Sequence, residues 1–317
     1  MKESREVICL GMAVVDILIH GVDFEKGIKE DTKASAVIQA AGGDAFNQAV
    51  ILSRLGHRPV LYSLLGRDTF GAVVRELGIK EGVDMSGVHI SQRCPTSVSI
   101  VCVQPGGERY FITHDQGSVN EYSMEDIDLD AITGAKVLSV GSLGGSSHLR
   151  GDEFACIFRR AKEEGMLIVA DMVTNLGKDT ALILKNAFPY IDYLVPSMEE
   201  AVCFSGTSEV SEAARFFRDL GVKNVIIKMG QEGAYVSAGN EACTVPAFRT
   251  RTVDTTGAGD NFMAGFVAGL LEERDVMDCV RMAAAAGAVS VSAAGAQAGV
   301  KSREQLGKFL ESQGIML

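Results

Sequence analysis

The chain has 317 residues, of which 47% are hydrophobic and 22% are charged, and its formal net charge is −11. This length allows one large α/β domain or two smaller ones, with a core of ample size. The negative balance and the scattered lysines and arginines argue against nucleic acid or an anionic membrane surface as a partner.

The expected compartment is the cytoplasm. The seven cysteines are an odd number and no two of them have the C-x-x-C spacing, so we expect reduced thiols. The N-terminal apolar run is short and is interrupted by Asp16, unlike a signal peptide. The Ala-rich stretch 283–298 lacks the bulky residues of a membrane span and predicts a packed helix. The five histidines show no metal-ligand spacing.

In chain order, the first half of the sequence predicts mostly short strands. The sequence Gln-Pro-Gly-Gly-Glu before residue 109 predicts a hairpin with a glycine turn. Strands are expected at 6–11, 14–19, 34–38, 60–65, 97–103 and 109–112, and helices at 44–55 and 69–77. Several of these strands follow one another without a helix between them. They indicate an accessory β-structure made of residues of about 14–40 and 96–114.

From residue 136 onwards, strands alternate with helices. The strands are expected at 137–140, 167–171, 193–195 and 225–228, and the helices at 153–164, 199–204 and 211–220. Such alternation predicts a mostly parallel sheet with helices on both faces. No linker, repeat or low-complexity segment divides the chain. We therefore expect residues 1–317 to form a single domain, with the accessory β-structure as its lid.

The segment 252–266 says most about function. Its first three residues are strand-like, a Gly-Ala-Gly turn follows, and apolar residues then recur at helical spacing. Unpaired N–H groups at such a helix start favour a bound anion, and Asp260 adds a carboxylate in the first turn. Phosphoryl transfer to an alcohol needs this combination, because amides hold the charge while a carboxylate accepts the proton. A glycine turn with an acidic first helical turn also occurs without any catalytic role.

The string Asp-Thr-Thr-Gly-Ala-Gly-Asp at 254–260 resembles the C-terminal signature of the ribokinase-like (PfkB) carbohydrate kinases. The resemblance implies that Asp260 is the catalytic base and that the amides of Gly257, Ala258 and Gly259 form the anion hole. It also implies an α/β fold of three layers, α/β/α, with a mostly parallel central sheet and a small β-sheet lid.

A second motif, Gly42-Gly43-Asp-Ala-Phe-Asn47, precedes a predicted helix. Glycines let a ligand approach the backbone and an asparagine offers a donor and an acceptor, although a plain helix entry can look the same. The motif resembles the family's Gly-Gly-x-x-x-Asn signature, in which the glycine backbone and the asparagine hold sugar hydroxyls. By the same resemblance Asp16 accepts hydrogen bonds from two sugar hydroxyls; alone, it would be taken for a turn residue.

A third motif, Leu-Val-Pro-Ser-Met-Glu-Glu at 194–200, resembles the family's Asn-x-x-Glu segment. The resemblance implies that Glu200 orders the water shell of Mg²⁺, an ion that usually keeps several waters. Ser197 takes the place of the asparagine and is shorter, which leaves its role at the metal open. A serine N-cap with an acidic first turn is the structural alternative.

Further positions match the family's nucleotide and cation sites. The segment 227–233 resembles the one beside the nucleotide phosphates and ribose, and a simple turn is its alternative. Gly295 matches a loop that lines the adenine pocket. Asp254 and Thr256 match positions around a monovalent cation, K⁺, in several relatives. The residues of the 227–233 segment that match the family's nucleotide site are Lys228, Gly230 and Gly233.

The resemblance covers nearly the whole chain in the right order, and the signatures of other kinase classes are missing. We therefore expect ATP-dependent transfer of the γ-phosphate to a hydroxymethyl group of a small sugar. A nucleoside kinase of the same family is one alternative, which a base-stacking aromatic in the lid would favour; the lid has Phe24 and Tyr110. A non-catalytic sugar sensor is another, and loss of Asp260 would mark it. The family resemblance also includes 66–68, 95–97 and 106–109.

The acceptor and the assembly are less well defined. Ribokinases typically have a Glu near Ser142 and the motif Gly-Gly-Lys-Gly-Ala-Asn, and this chain has neither, so ribose is a less expected substrate. Both faces of the 97–103 strand carry apolar residues. An exposed apolar sheet face usually marks a contact surface, so we expect a homodimer that pairs lid to lid. A lid folded back on its own domain is the alternative.

Overall fold

The computed structural model describes residues 5–22, 32–104, 109–173 and 180–316. Phe24 and most of the 106–109 motif lie outside the described residues. The strands are β1 (Val7–Leu10), β2 (Val14–His20), β3 (Ala36–Gly42), β4 (Pro59–Gly66), β5 (Asp84–Ser91), β6 (Val98–Val103), β7 (Arg109–Thr113), β8 (Val137–Leu143), β9 (Leu167–Met172), β10 (Tyr193–Leu194), β11 (Asn224–Lys228), β12 (Ala234–Ala238) and β13 (Glu241–Val245).

The helices lie between these strands and at the C-terminal end of the described chain. They are α1 (Asp44–Arg54), α2 (Thr69–Lys80), α3 (Ser118–Glu121), α4 (Gly151–Glu163), α5 (Thr180–Leu184), α6 (Met198–Ser205), α7 (Val210–Asp219), α8 (Ala258–Leu271), α9 (Val276–Ser290) and α10 (Arg303–Ser312). In the described part of the chain, no helix has the length and apolar content needed to cross a membrane.

A large sheet of nine strands forms the middle layer, in the order β13-β12-β11-β10-β9-β8-β1-β4-β5. All neighbours from β11 to β5 are parallel, and only β12 and β13 are antiparallel. Side chains of β1 alternate between two apolar clusters: Val7 and Cys9 point to one, Ile8 and Leu10 to the other. Helices α1, α8 and α9 cover the first cluster, and α4 and α7 cover the second. The predicted three layers are confirmed.

A separate sheet of four strands has the order β3-β2-β6-β7. Strands β2 and β6 are parallel, and the outer pairs are antiparallel. Asp16, Ser99 and Thr113 occupy neighbouring register positions and therefore share one face. Strand β3 runs on to Gly42, so the glycine motif lies at the end of a strand rather than in a loop. The predicted accessory β-structure thus forms a sheet of its own.

The expected strand at 252–254 is wrong. The amides of Val253 and Asp254 both donate to the Val291 carbonyl after α9 (2.7 and 3.2 Å), so no strand neighbour pairs with this segment. The Ala-rich helix is confirmed, but it ends at Ser290 and a loop replaces its predicted last turns. Strand β5, the hairpin of β12 and β13, and helix α10 did not appear in the sequence-based assignment.

Candidate active site

A cavity of about 690 Å³ lies between the small sheet and the loops around the start of α8. Many of the residues predicted from separate motifs line it together. They are Asp16, Gly43, Asn47, Asp254, Thr256, Gly257, Asp260 and Gly295. Of the other predicted residues, Gly42 packs against Asp16, and Ala258 and Gly259 begin α8. Glu200 lies in the first turn of α6, Lys228 ends β11, and Gly230 and Gly233 lie in the turn after β11.

Gly257 is the residue that turns the chain into α8. Its φ is +72°, a left-handed conformation that favours glycine. A Cβ atom here would also lie 2.6 Å from the Ala296 Cβ in the neighbouring loop. The amide of Ala258 donates to the Thr255 carbonyl (3.2 Å). The amides of Gly257 and Gly259 have no acceptor among the described residues, and they remain available for an anion.

Asp260 lies in the first turn of α8 and faces the cavity. Its Oδ2 atom accepts a hydrogen bond from the Asn47 Nδ2 atom (2.7 Å). Burial, followed by the charge of Asp44, raises the pKa of Asp260 to about 8. The Asn47 hydrogen bond and the Lys228 charge act in the opposite direction. A carboxylate with a pKa in this range is well matched to accepting a proton near neutral pH.

The predicted sugar-binding residues meet at the edge of the small sheet. Asp16 is half-buried, and burial raises its pKa to about 6. A Cβ atom on Gly42 would collide with the Asp16 carboxylate, so only glycine leaves this carboxylate in place. Gly43 has a φ of +95° and passes close to the Met12 carbonyl. Asn47 is buried, and its side chain bonds to Asp260 rather than lying free in the cavity.

Asp44 is a cavity residue that the sequence analysis did not single out. Its carboxylate accepts hydrogen bonds from the Met12 amide (3.0 Å) and from the Ser142 hydroxyl, and burial raises its pKa. Gly11 and Gly141 leave room for it, since a Cβ atom on either would lie within 2.9 Å of its Oδ1 atom. The signal in the sequence was the acidic residue where the ribokinase motif has a lysine.

A charged cluster lies beside the start of α8. Lys228, at the end of β11, forms a salt bridge with Asp171, at the end of β9. Burial alone would lower the pKa of Lys228, but the carboxylates of Asp171 and Glu200 raise it, so the side chain stays charged. A Cβ atom on Gly259 would lie 3.4 Å from the Lys228 Nζ atom. Sequence reasoning missed Asp171, because an acidic residue at a strand end has no distinctive spacing.

Glu200 and Ser197 form a capping box at the start of α6. The Ser197 amide donates to a Glu200 carboxylate oxygen (2.6 Å), and the Glu200 amide donates to the Ser197 hydroxyl (3.2 Å). Burial raises the pKa of Glu200. The two oxygen-bearing residues Glu200 and Asp171 are suited to a hard cation such as Mg²⁺. Within the described residues, no group of three or more His, Cys, Asp or Glu could hold a metal ion directly.

The remaining predicted residues shape two turns. Gly230 and Gly233 have φ angles of +59° and +101° and close the turn that leads from β11 into β12. Asp254 accepts hydrogen bonds from the Thr256 amide (2.7 Å) and the Gly295 amide (2.8 Å), so it joins the segment before α8 to the loop after α9. The Thr256 hydroxyl is buried and has no partner in the described part of the chain.

The model of the pfkB family carbohydrate kinases matches residues 4–303. This chain belongs to the PfkB family. A ribokinase from Haemophilus influenzae is 29% identical over 278 residues, which cover 86% of this chain and 88% of that protein. An aminoimidazole riboside kinase from Salmonella typhimurium is 27% identical over 328 residues, covering 99% of this chain and 98% of that protein.

Among solved structures, Arabidopsis thaliana ribokinase complexed with ribose and ATP superposes with a TM-score of 0.85 at 26% identity. The match covers 98% of this chain and 99% of that one. The ribokinase-like fold is thereby confirmed. This PfkB-family protein is a phosphotransferase that acts on an alcohol group, and it falls within the sugar and nucleoside kinases.

Two neighbouring glycines of this PfkB-family signature give a matched pair of variants. Gly257→Ala should lower Tm, because the backbone angle is strained for alanine and the methyl group meets Ala296. Gly259→Ala should leave Tm nearly unchanged, because the position is helical, while the methyl group lies beside Lys228 and reduces turnover. Thermal unfolding and steady-state kinetics would be measured on both. An equal drop in Tm would contradict the assigned turn geometry.

Proposed function

We propose that the protein is an ATP-dependent kinase that transfers the γ-phosphate to a hydroxymethyl group of a small sugar. The observation that carries this proposal is the position of Asp260. Its Oδ2 atom is held by Asn47, no described residue bonds to its Oδ1 atom, and the residue lines the cavity. The same carboxylate lies within one helical turn of the amides of Gly257 and Gly259, which are open to an anion.

In the proposed reaction, the Asp260 carboxylate accepts the proton of the substrate hydroxyl. The hydroxyl oxygen then forms a bond to the γ-phosphorus, and the bond between that phosphorus and the β–γ bridging oxygen breaks, so ADP leaves. The amides of Gly257 and Gly259 and the ammonium group of Lys228 stabilise the negative charge on the phosphoryl group. The Ala258 amide, which the family resemblance also implied, is already bonded to the Thr255 carbonyl. Gly230, Gly233 and Gly295 place the backbone against the nucleotide.

Mg²⁺ is the metal that we propose for this site. It would neutralise charge on the phosphate oxygens, and Glu200 would hold it through water, with Asp171 close by. A monovalent cation such as K⁺ is proposed beside Asp254 and Thr256. The buried Thr256 hydroxyl that lacks a partner supports this second site.

The acceptor that we propose is an uncharged polyol. The charged side chains of the described cavity wall are mostly carboxylates: Asp16, Asp44, Asp254 and Asp260 against the cations Arg54 and Lys301. A carboxylate accepts hydrogen bonds from hydroxyl groups and repels an acidic substituent, so a keto-deoxy acid fits this wall poorly. The similarity to an aminoimidazole riboside kinase keeps ribosides as the second candidate class. A non-catalytic sensor is not supported, since Asp260 is present and its pKa is shifted for proton transfer.

A coupled ADP-release screen over pentoses, hexoses, keto-deoxy acids and nucleosides tests the proposal. Turnover with one or more neutral sugars and none with the acids is the expected result. Turnover with nucleosides alone would favour the riboside alternative. The absence of ADP release with every acceptor would contradict a kinase that acts on these classes.

Asp260→Asn should reduce turnover by roughly 10²–10⁴-fold, the usual scale for a positioned general base. In the wild type the rate should rise with pH towards the pKa of about 8, because only the ionised carboxylate accepts a proton. A carboxyl group whose pKa is higher in the folded than in the unfolded state also affects stability. For Asp260, the free energy of unfolding falls as pH rises from the ordinary carboxyl pKa to about 8. Asp260→Asn removes that loss, so its Tm should exceed the wild-type Tm by more at pH 9 than at pH 5. Near-normal turnover of Asp260→Asn would contradict the assignment of Asp260 as the base.

Asp16→Ala and Asn47→Ala should both weaken sugar binding while nucleotide binding stays nearly intact. Loss of one partner of a buried polar contact costs about 1–3 kcal/mol, or about tenfold or more in affinity. Only Asn47→Ala should also move the acidic limb of the rate profile to higher pH, because it alone removes a donor from Asp260. Calorimetry with sugar and with an ATP analogue separates the two sites. A matching loss of nucleotide affinity would show that the pocket is assigned wrongly.

We also propose a homodimer through the small sheet, which acts as the lid of a single domain. Asp16, Ser99 and Thr113 face the cavity, and the opposite face is apolar. On that outer face, Val37 is 66% exposed and Ile112 is 57% exposed, a large apolar area for a monomer to leave in water. A self-complementary face of this kind suits a twofold contact. The outer face is thus mostly apolar: it carries Ile19, Val37, Ile100, Tyr110 and Ile112 together with the exposed Gln39, while Ile17 packs against the core of the same chain.

Ile112→Lys and Val37→Lys should convert the dimer to a monomer, because each buries an unpaired charge in the apolar contact. Leu182→Lys is the matched control, since Leu182 is 65% exposed on α5 and lies outside the small sheet. Light scattering at micromolar concentration measures the mass. A wild-type mass near 33.7 kDa, the mass of one chain, with full activity would exclude the dimer as the working form.

A further inference from the structure

Gln297 connects the loop after α9 to the base through one intervening side chain. Its Nε2 atom donates to the Ala41 carbonyl (3.0 Å) and to the Asn47 Oδ1 atom (2.7 Å). Asn47 in turn donates from Nδ2 to the Asp260 Oδ2 atom (2.7 Å). Three side chains from distant parts of the sequence thus form one chain of hydrogen bonds that ends on the carboxylate.

The Ala41 carbonyl gives this chain its direction. A backbone carbonyl can only accept, so the end of Gln297 that faces it must be the NH₂ group. The second N–H of that group then points at Asn47, which must present its oxygen. With its oxygen turned to Gln297, Asn47 has only its NH₂ group to offer to Asp260.

We propose that Gln297 is a positioning residue that fixes the orientation of the Asn47 amide and so keeps a hydrogen-bond donor on the proton-accepting carboxylate of Asp260. The inference rests on the proposed function, because it gives Asp260 the role of base. Gln297 itself does not touch the reacting atoms. It acts through Asn47 alone.

The backbone of Gln297 is held independently of its side chain. The Arg54 guanidinium donates to the carbonyls of Gln297 and Val300, and it forms a two-pronged salt bridge with Glu81 (2.8 Å for each bond). A guanidinium in this arrangement keeps one planar geometry. Replacement of the Gln297 amide should therefore leave the loop in place, and its effect can be measured separately from loop disorder.

The hydrogen bond from the Asn47 amide to Asp260 matters because the charges on neighbouring elements have opposite effects on the protonation of Asp260. Burial favours the protonated form of Asp260 most strongly, and Asp44 at the start of α1 and Asp171 at the end of β9 act in the same direction. Lys228 at the end of β11 favours the ionised form. Asp16, on β2, lines the same cavity. The resulting pKa of about 8 lies close to working pH. A weaker Asn47 hydrogen bond therefore changes the ionised fraction directly.

The test uses Gln297→Met, which keeps an unbranched chain of similar length and removes the donor. The rate profile and the Asp260 titration are measured in the full-length protein. Carboxyl-labelled aspartate and ¹³C NMR follow the titration without any substrate, and the Asp260 signal is assigned by its loss in Asp260→Asn. We expect both the acidic limb and the NMR pKa of Asp260 to move upward by roughly half a unit to one unit, the usual effect of one hydrogen bond to a charged group.

Two controls separate positioning from support of the loop. Gln305→Met removes a bond from α10 to the Gly299 carbonyl (3.1 Å) without touching Asn47, and it should leave the Asp260 pKa unchanged. In an Asn47→Ala background, Gln297→Met should cause no further shift, because the connecting side chain is gone. Should Gln297→Met not fold, Gln297→Leu takes its place in the same measurements.

The outcomes distinguish the inference from the function on which it rests. An unchanged pKa in Gln297→Met, a shift that persists without Asn47, or an equal shift in Gln305→Met would overturn the role of Gln297. A lower rate of Gln297→Met at every pH, with no change in the pKa of Asp260, would also overturn it, because that result would indicate that Gln297 only supports the loop. If the acceptor screen fails, the proposed function falls, and the NMR titration still decides whether Gln297 acts on Asp260.

Discussion

The hydrogen bond between Asn47 and Asp260 joins the two halves of the site. Asn47 lies on α1, which follows strand β3 of the small sheet. Asp260 lies on α8, 213 residues further along the chain. Helices α1 and α8 pack in the same apolar cluster, so the bond forms between elements that the core already holds. Each of the two side chains restricts the other. The proposed sugar-binding residue and the proposed base therefore keep a fixed separation.

Glycines provide the space that this arrangement needs. At Gly42 a side chain would occupy the position of the Asp16 carboxylate, and at Gly257 it would push away the loop at Ala296. The glycines of the two signatures thus serve different purposes. The first admits a carboxylate of the protein itself, and the second allows a left-handed turn that leaves backbone amides open. Because neither motif can do what the other does, the site needs both.

Much of the fold follows from local patterns, and the failures have physical causes. The buried parallel strands are short apolar runs between turn residues, and these patterns located β1, β4, β8, β9 and β11 to within a few residues. Strand β5 contains a glycine and an aspartate, types with low strand propensity, and it forms by parallel pairing with β4, where Gly87 lies opposite Tyr62 and leaves room for its ring. The apolar content of 252–254 suggested a strand, but the amides of Val253 and Asp254 donate to the Val291 carbonyl instead of to a neighbouring strand.

The site was less predictable than the fold, because its pairings are not local. The signatures located Asp260 and Asn47, but no spacing in the sequence tells which side chains face them. Asp44, Asp171 and Gln297 lie in three separate segments and affect the base only through the folded structure. An aspartate that begins a helix or ends a strand looks the same whether it faces solvent or a cavity. Distances across the fold were needed to distinguish the two.

In the proposed reaction, the ionised carboxylate of Asp260 lies next to an anionic phosphoryl group, and such groups repel each other. Two features of the described site reduce this repulsion. Both groups lie at the N-terminus of α8, where the helix dipole and the free amides favour negative charge. Lys228 lies beside the start of α8, and the carboxylates of Asp171 and Glu200 hold it in its charged form. The salt bridge to Asp171 therefore does more than offset a buried charge. It keeps a cation where both the ionised base and the phosphate require one.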